Sequence, residues 1–206
     1  MGTNKDRLFQ ALQNNQNNVV TIYHYFVDDV VVRHTGILIQ FTDADTNVTS
    51  QFTIDVTTRG EDRLQELLQC VFWRAEAEMA VDQIFPGQQS RNYNVTQPIL
   101  RLPLDGQRNR RHAISKVENL LQKTSHTYNV LTNNCRDHSG RQIQEMCSDN
   151  QCDPNAVREA ENNLQEMINE DALWVVFSCS MSFIVVSWLI YRAIEKLLLF
   201  LRSYYS

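Results

Sequence analysis

No CxxC pair, no HExxH motif and no excess of positive charge occur in the 206 residues. The five cysteines (Cys70, Cys135, Cys147, Cys152, Cys179) are odd in number and lack the paired spacing of a zinc site, so neither a disulfide framework nor a bound zinc is indicated. Cys147 and Cys152 are close enough to bridge in an oxidising compartment, but two free thiols are the commoner outcome for such neighbours. The five histidines are scattered, which argues against a metal enzyme, and no cofactor is expected. A net charge of −5 gives no general case for nucleic acid as a partner.

An apolar leader is also missing, since Met1 to Asn18 is polar. What the chain does have is a long apolar run near its other end. The nineteen residues from Ala172 to Ile190 hold no ionisable group except the Cys179 thiol, with Trp174 and Trp188 near the two ends. About twenty apolar helical residues cross a bilayer core of roughly 30 Å, so this stretch predicts a C-terminal transmembrane helix. Two rules disagree on sidedness. The absent leader keeps the preceding domain in the cytosol, whereas Arg192, Lys196 and Arg202 after the span, and Glu166, Glu170 and Asp171 before it, favour the reverse. The leader carries more weight, because moving a folded domain across a membrane needs machinery and a few tail cations are a weak bias. The sequons at Asn47 and Asn94 matter only if the domain is lumenal.

The remaining chain is the size of one domain with a real core. Val19 to Phe26, Val30 to Phe41 and Val48 to Val56 read as strands, followed by a helix from about Gly60 to Ile84. Val95 to Leu104 reads as an edge strand because of Pro98 and Pro103, and Ala113 to Lys123 as an amphipathic helix. The basic run Arg108 to Arg111 reads as a turn ahead of that helix or as a contact for anionic head groups. Asp153 to Glu170, with few apolar contacts, reads as a polar stalk.

Chemistry concentrates in Tyr128-Asn-Val-Leu-Thr-Asn-Asn-Cys-Arg-Asp-His-Ser. Asn133 or Asn134 would cap a helix running to about Met146, placing Cys135 in its first turn, where the helix dipole favours a thiolate. The same N–H groups could stabilise an oxyanion. A base is available in the hairpin. Pairing the second and third strands about their turn puts His34 opposite Asp55, Ile37 opposite Phe52 and Phe41 opposite Val48. Asp55 would then orient His34, and His34 would take the proton from Cys135. Thr53, two residues away on the same face, is the substitute if the turn is tighter. Gly36 would let a helix approach the strand.

Arg33-His-Thr-Gly-Ile on a strand, followed about a hundred residues later by Leu-Thr-Asn-Asn-Cys opening a helix, resembles the circularly permuted papain-like thiol enzymes. These include the lecithin retinol acyltransferase family with its phospholipase relatives, the PPPDE-type isopeptidases and, more distantly, the NlpC-type peptidases. The resemblance covers roughly Val19 to Met146. It implies Cys135 as nucleophile, His34 as base and Asp55 where the acyltransferases usually carry a third histidine; their Asn-Cys-Glu-His-Phe reads here Asn-Cys-Arg-Asp-His-Ser. The implied fold is α+β, an antiparallel sheet packed on helices, followed by the transmembrane helix. The expected division is a helical segment over 1–18, the thiol-enzyme domain over 19–150, a stalk over 151–171, the span over 172–191 and a basic amphipathic tail over 192–206. The expected function is a membrane-anchored acyltransferase or phospholipase acting on a phospholipid or other acyl ester. A tail-anchored isopeptidase for a ubiquitin-like modifier and a non-catalytic adaptor are the alternatives.

Overall fold

The computed structural model describes residues 2–14, 16–27, 34–43, 48–58, 75–84, 93–122, 127–128, 134–149 and 151–204, with side chains described except at 48, 49, 57, 58, 75–78, 127, 128, 170–179 and 197–204. The order is α1 (Asn4–Gln13), β1 (Asn17–Val27), β2 (His34–Asp43), β3 (Val48–Thr58), β4 (Ala75–Ile84), β5 (Tyr93–Val95), β6 (Leu100–Pro103), α2 (Gly106–Gln122), β7 (Thr127–Tyr128), α3 (Cys135–Met146) and α4 (Pro154–Tyr204). The strands form one antiparallel sheet in the order β5-β1-β2-β3-β4-β7, with β6 also beside β1. The fold is therefore α+β, with helices against an antiparallel sheet.

Alternation along the strands separates two faces. Val20, Ile22, Ile37, Ile39, Phe41, Phe52 and Ile54 pack with Leu8 and Leu12 of α1, Val117 and Leu120 of α2, and Ile143 and Met146 of α3. Tyr25, Val27 and Leu38 lie on the other side in a smaller cluster. The two compact units are Met1–Leu164 and Gln165–Ser206.

Several expectations need correction. The helix expected to reach Ile84 gives way to β4 over Ala75–Ile84, and the part over 59–74 lies outside the described residues. Ala, Glu and Met favour helix, but from Thr58↔Ala77 to Gln51↔Ile84 the segment pairs with β3 without a break, and tertiary pairing overrides propensity. The edge strand at 95–104 divides into β5 and β6, both paired to β1. The basic run is not a turn: it is the start of α2. Arg110 is also taken up, donating to the carbonyls of Leu12 in the last turn of α1 and of Asn14 and Asn17 beyond it.

The polar stalk is not wholly a stalk. Ala156, Ala160 and Leu164 are buried in the main core, a contribution that counting only large apolar residues misses. Cys147 and Cys152 are joined as a disulfide rather than free, with Cα atoms 5.3 Å apart. Lys116 braces the enclosed loop, reaching Asp149 Oδ2 at 2.7 Å and the Met146 carbonyl at 2.9 Å. Among the described residues no helix is long and apolar enough to cross a membrane. Only the backbone is described for residues 172–179, so the expected span lies partly outside the side chains on view.

Candidate active site

Cys135 is the first residue of α3, held there by its neighbours. The Asn134 backbone is extended (φ −103°, ψ −174°), and its side chain accepts from the N–H groups of Arg136 at 3.0 Å and Asp137 at 3.3 Å. Asp137 returns the favour, accepting from the Asn134 N–H at 3.1 Å. This reciprocal cap satisfies three donors that a helix start otherwise leaves open and fixes the direction in which the helix begins. Cys135 is free and buried.

The structure brings His34 to this sulfur and Asp55 to His34, although not through the expected pairing. Ile37 pairs with Ile54 and Ile39 with Phe52, so β3 has slipped two residues relative to the register in which His34 faces Asp55. A slip of two keeps every side chain on its face and leaves the apolar pattern intact, so alternation cannot detect it. It is accompanied by an irregularity between Phe41 and Thr42 that takes up an extra residue near the turn. The observed register, continued toward the start of β2, places Gly36 across from Asp55. His34 reaches the carboxylate diagonally, with Nε2 3.5 Å from Asp55 Oδ1. Thr53 pairs with Leu38 and is buried away from this contact.

Gly36 has a role other than admitting a helix. A Cβ at this position would lie 2.7 Å from the Ile54 carbonyl oxygen and 2.9 Å from Tyr25 Cε1, and would collide with Asp55 Oδ1. Tyr25 pairs with Gly36 on β1, and its hydroxyl donates to Asp55 Oδ1 across the gap that the missing side chain leaves. Tyr25 is itself packed edge-on against Tyr93, with ring centroids 5.1 Å apart. Neither Tyr25 nor this use of Gly36 was legible from motif spacing; a glycine flanked on both neighbouring strands by polar side chains was the available signal.

Burial alone would hold the His34 imidazolium down, but hydrogen bonds to Asp55 and Cys135, and their negative charges, push its pKa up to about 10. For Cys135, burial raises the thiol pKa. The His34 hydrogen bond and charge, the Thr35 N–H donating to sulfur and the nearby Arg136 outweigh it and bring the pKa below its usual value. The two shifts run in the directions that favour a thiolate paired with an imidazolium. Nε2 faces the carboxylate and the ring also bonds the sulfur, so one imidazole links the acid to the thiol.

Among the described residues no group of three or more His, Cys, Asp or Glu side chains could hold a metal ion. Comparison with family models, with curated proteins and with solved structures finds no match.

Proposed function

We propose that the chain is a cysteine-dependent acyl-transfer enzyme of the permuted papain-like kind, anchored in a membrane and acting on phospholipid or related acyl esters. The observation that carries this is the line Asp55, His34, Cys135, with the sulfur at a capped helix N-terminus. The thiolate attacks the ester carbonyl and forms a C–S bond, and the oxyanion lies near the positive end of α3. As the intermediate collapses, the C–O bond breaks and the leaving alkoxide takes the proton from His34. Neutral His34 then removes a proton from water or an amine as that nucleophile attacks the thioester, regenerating thiolate and imidazolium. No metal or cofactor is required.

The anchor is the second half of the proposal. Phe183, Ile184, Val185, Val186, Trp188, Leu189 and Ile190 in α4 are all more than half exposed. At about 100° per residue, adjacent positions of this kind surround the helix, an arrangement suited to lipid. An anchor beside a lipid substrate raises its effective concentration. The domain is assigned to the cytosolic side. The Cys147–Cys152 bond argues against that side, because such bonds persist in oxidising compartments and are rare in the cytosol.

Full-length protein in detergent, offered vesicles of phosphatidylcholine and, in parallel, an isopeptide-linked ubiquitin-like conjugate, tests the function. Release of fatty acid with a thioester trapped on Cys135 supports the reading. Cleavage of the conjugate alone would replace it with the isopeptidase, and inertness to both, with unreactive Cys135, would leave a scaffold. Trapping of Cys147 and Cys152 as free thiols in cells would agree with the cytosolic side; a glycan on Asn94 would reverse it.

A further inference from the structure

The row Tyr25, Gly36, Asp55 crosses three adjacent strands, and its middle member has no side chain. Tyr25 and His34 address the same carboxylate oxygen, the phenol through a hydrogen bond and the imidazole from 3.5 Å. A carboxylate held only by an imidazole at that distance can turn about its own side-chain bonds; a second donor on a rigid strand removes that freedom. Tyr25 is fully buried and braced by Tyr93, so its hydroxyl cannot follow the carboxylate if the latter rotates.

We propose that Tyr25 is a positioning residue of this site: it holds Asp55 toward His34 through the opening at Gly36, and so sets the pH range over which Cys135 and His34 exist as an ion pair. The proposal rests on the thiol-enzyme reading, because the ion pair is what it regulates. The Tyr25 ring also stands edge-on to His34, with centroids 6.5 Å apart, a contact that Phe would keep; the hydroxyl acts on the imidazole through Asp55. Without the hydroxyl, the carboxylate spends time away from the ring. The imidazolium then loses its proton at lower pH, and the thiolate forms only at higher pH.

The test is the pH dependence of Cys135 alkylation by iodoacetamide in the full-length protein. The wild type should show two limbs, an acid one where the ion pair forms and an alkaline one where His34 deprotonates. Tyr25→Phe keeps the ring and its packing. It should bring the two limbs closer by about one pH unit each, the size expected for losing one hydrogen bond to a charged group. Substrate turnover should fall about tenfold through kcat, with KM unchanged. Unmoved limbs with only a lowered melting temperature would make Tyr25 structural and overturn the proposal. If Phe at this position prevents folding, 3-fluorotyrosine at position 25 is the second probe: a stronger donor of the same shape should spread the limbs apart, and no displacement would overturn the proposal equally. In an Asp55→Asn background, Tyr25→Phe should shift nothing further, whereas an additive shift would mean that Tyr25 does not act through Asp55. A wild-type thiol titrating in a single step near the ordinary value of about 8.5 would sink the ion-pair reading itself, a result separable from failure of Tyr25.

Discussion

His24 and His34 lie on neighbouring strands, both withdrawn from solvent, and their protonation is driven in opposite directions. His24, on β1, is fully buried on the core side; its Nε2 meets the Thr35 hydroxyl, its Nδ1 has no hydrogen-bond partner among the described residues, and burial pushes its pKa down to about 4. His34, at the start of β2, retains 24% side-chain exposure and is pushed up to about 10 because a carboxylate and a thiol face it. Burial lowers both; the partners decide the outcome. A histidine in a core is neutral and structural, while the same residue one strand away, offered an acid and a thiol, is favoured as a cation.

The largest effect that can break this contrast is removal of the cation itself. His34→Ala and Cys135→Ala should each reduce acyl turnover by about 10⁶, as loss of one member of a cooperating triad typically does. The two together should cost no more than either alone. His24→Gln should leave turnover within a few-fold. If His24→Gln were as damaging as His34→Ala, the division of roles between the two rings would be wrong.

Next in size is the acid that separates them. Asp55→Asn should lower turnover by about two to four powers of ten while the protein still folds. The alkaline limb of the rate profile, set by His34 near 10, should move down, since imidazolium is lost as pH rises and the carboxylate is what delays that loss. Thr53→Val, paired with Leu38 and away from the ring, should leave the profile unchanged. An unmoved alkaline limb in Asp55→Asn would show that the thiolate alone holds the imidazolium.

Much of this site was legible and some was not, for definable reasons. The cap at Asn134 and the helix Cys135–Met146 follow from local chemistry, where side chain and backbone N–H are two or three residues apart. The strands β1 to β3 follow from alternation. Register does not, because Ile37 opposite Phe52 and Ile37 opposite Ile54 satisfy the same alternation, and the choice depends on the irregularity at Phe41 and on space at Gly36. β4 was invisible because its Ala and Glu residues speak for helix and only pairing with β3 makes it a strand. The Tyr25 contact joins residues thirty apart across an intervening strand, and neither spacing nor motif encodes it.

His24 gives an effect on stability rather than on turnover. Its folded pKa of about 4 lies below the usual 6.5, so between these values the unfolded chain binds a proton that the folded one refuses. Stability from this group is therefore present above 6.5 and is lost as pH falls toward 4, by up to about 3 kcal/mol. Urea midpoints at pH 7 and pH 4.5 should draw apart less in His24→Gln than in the wild type. Equal pH dependence in the two proteins would mean that the ring is protonated in the fold, contrary to its surroundings.

The smallest expected effect tests the opening between Tyr25 and Asp55. Gly36→Ala adds one methyl group where the Ile54 carbonyl oxygen would be 2.7 Å away and the Tyr25 ring 2.9 Å away. The backbone of β3 cannot swing aside as the end of a long side chain can, so the strands must part or the Tyr25 to Asp55 hydrogen bond must open. Overpacking of this kind typically costs about 1 to 3 kcal/mol. The diagnostic result is the coupling: Gly36→Ala should weaken the pull on the His34 proton as Tyr25→Phe does, since either change frees the carboxylate, and the two together should do little more than one. Measured by the alkaline limb of Cys135 alkylation, a Gly36→Ala protein that loses stability but keeps the wild-type limb would show that the gap serves packing alone.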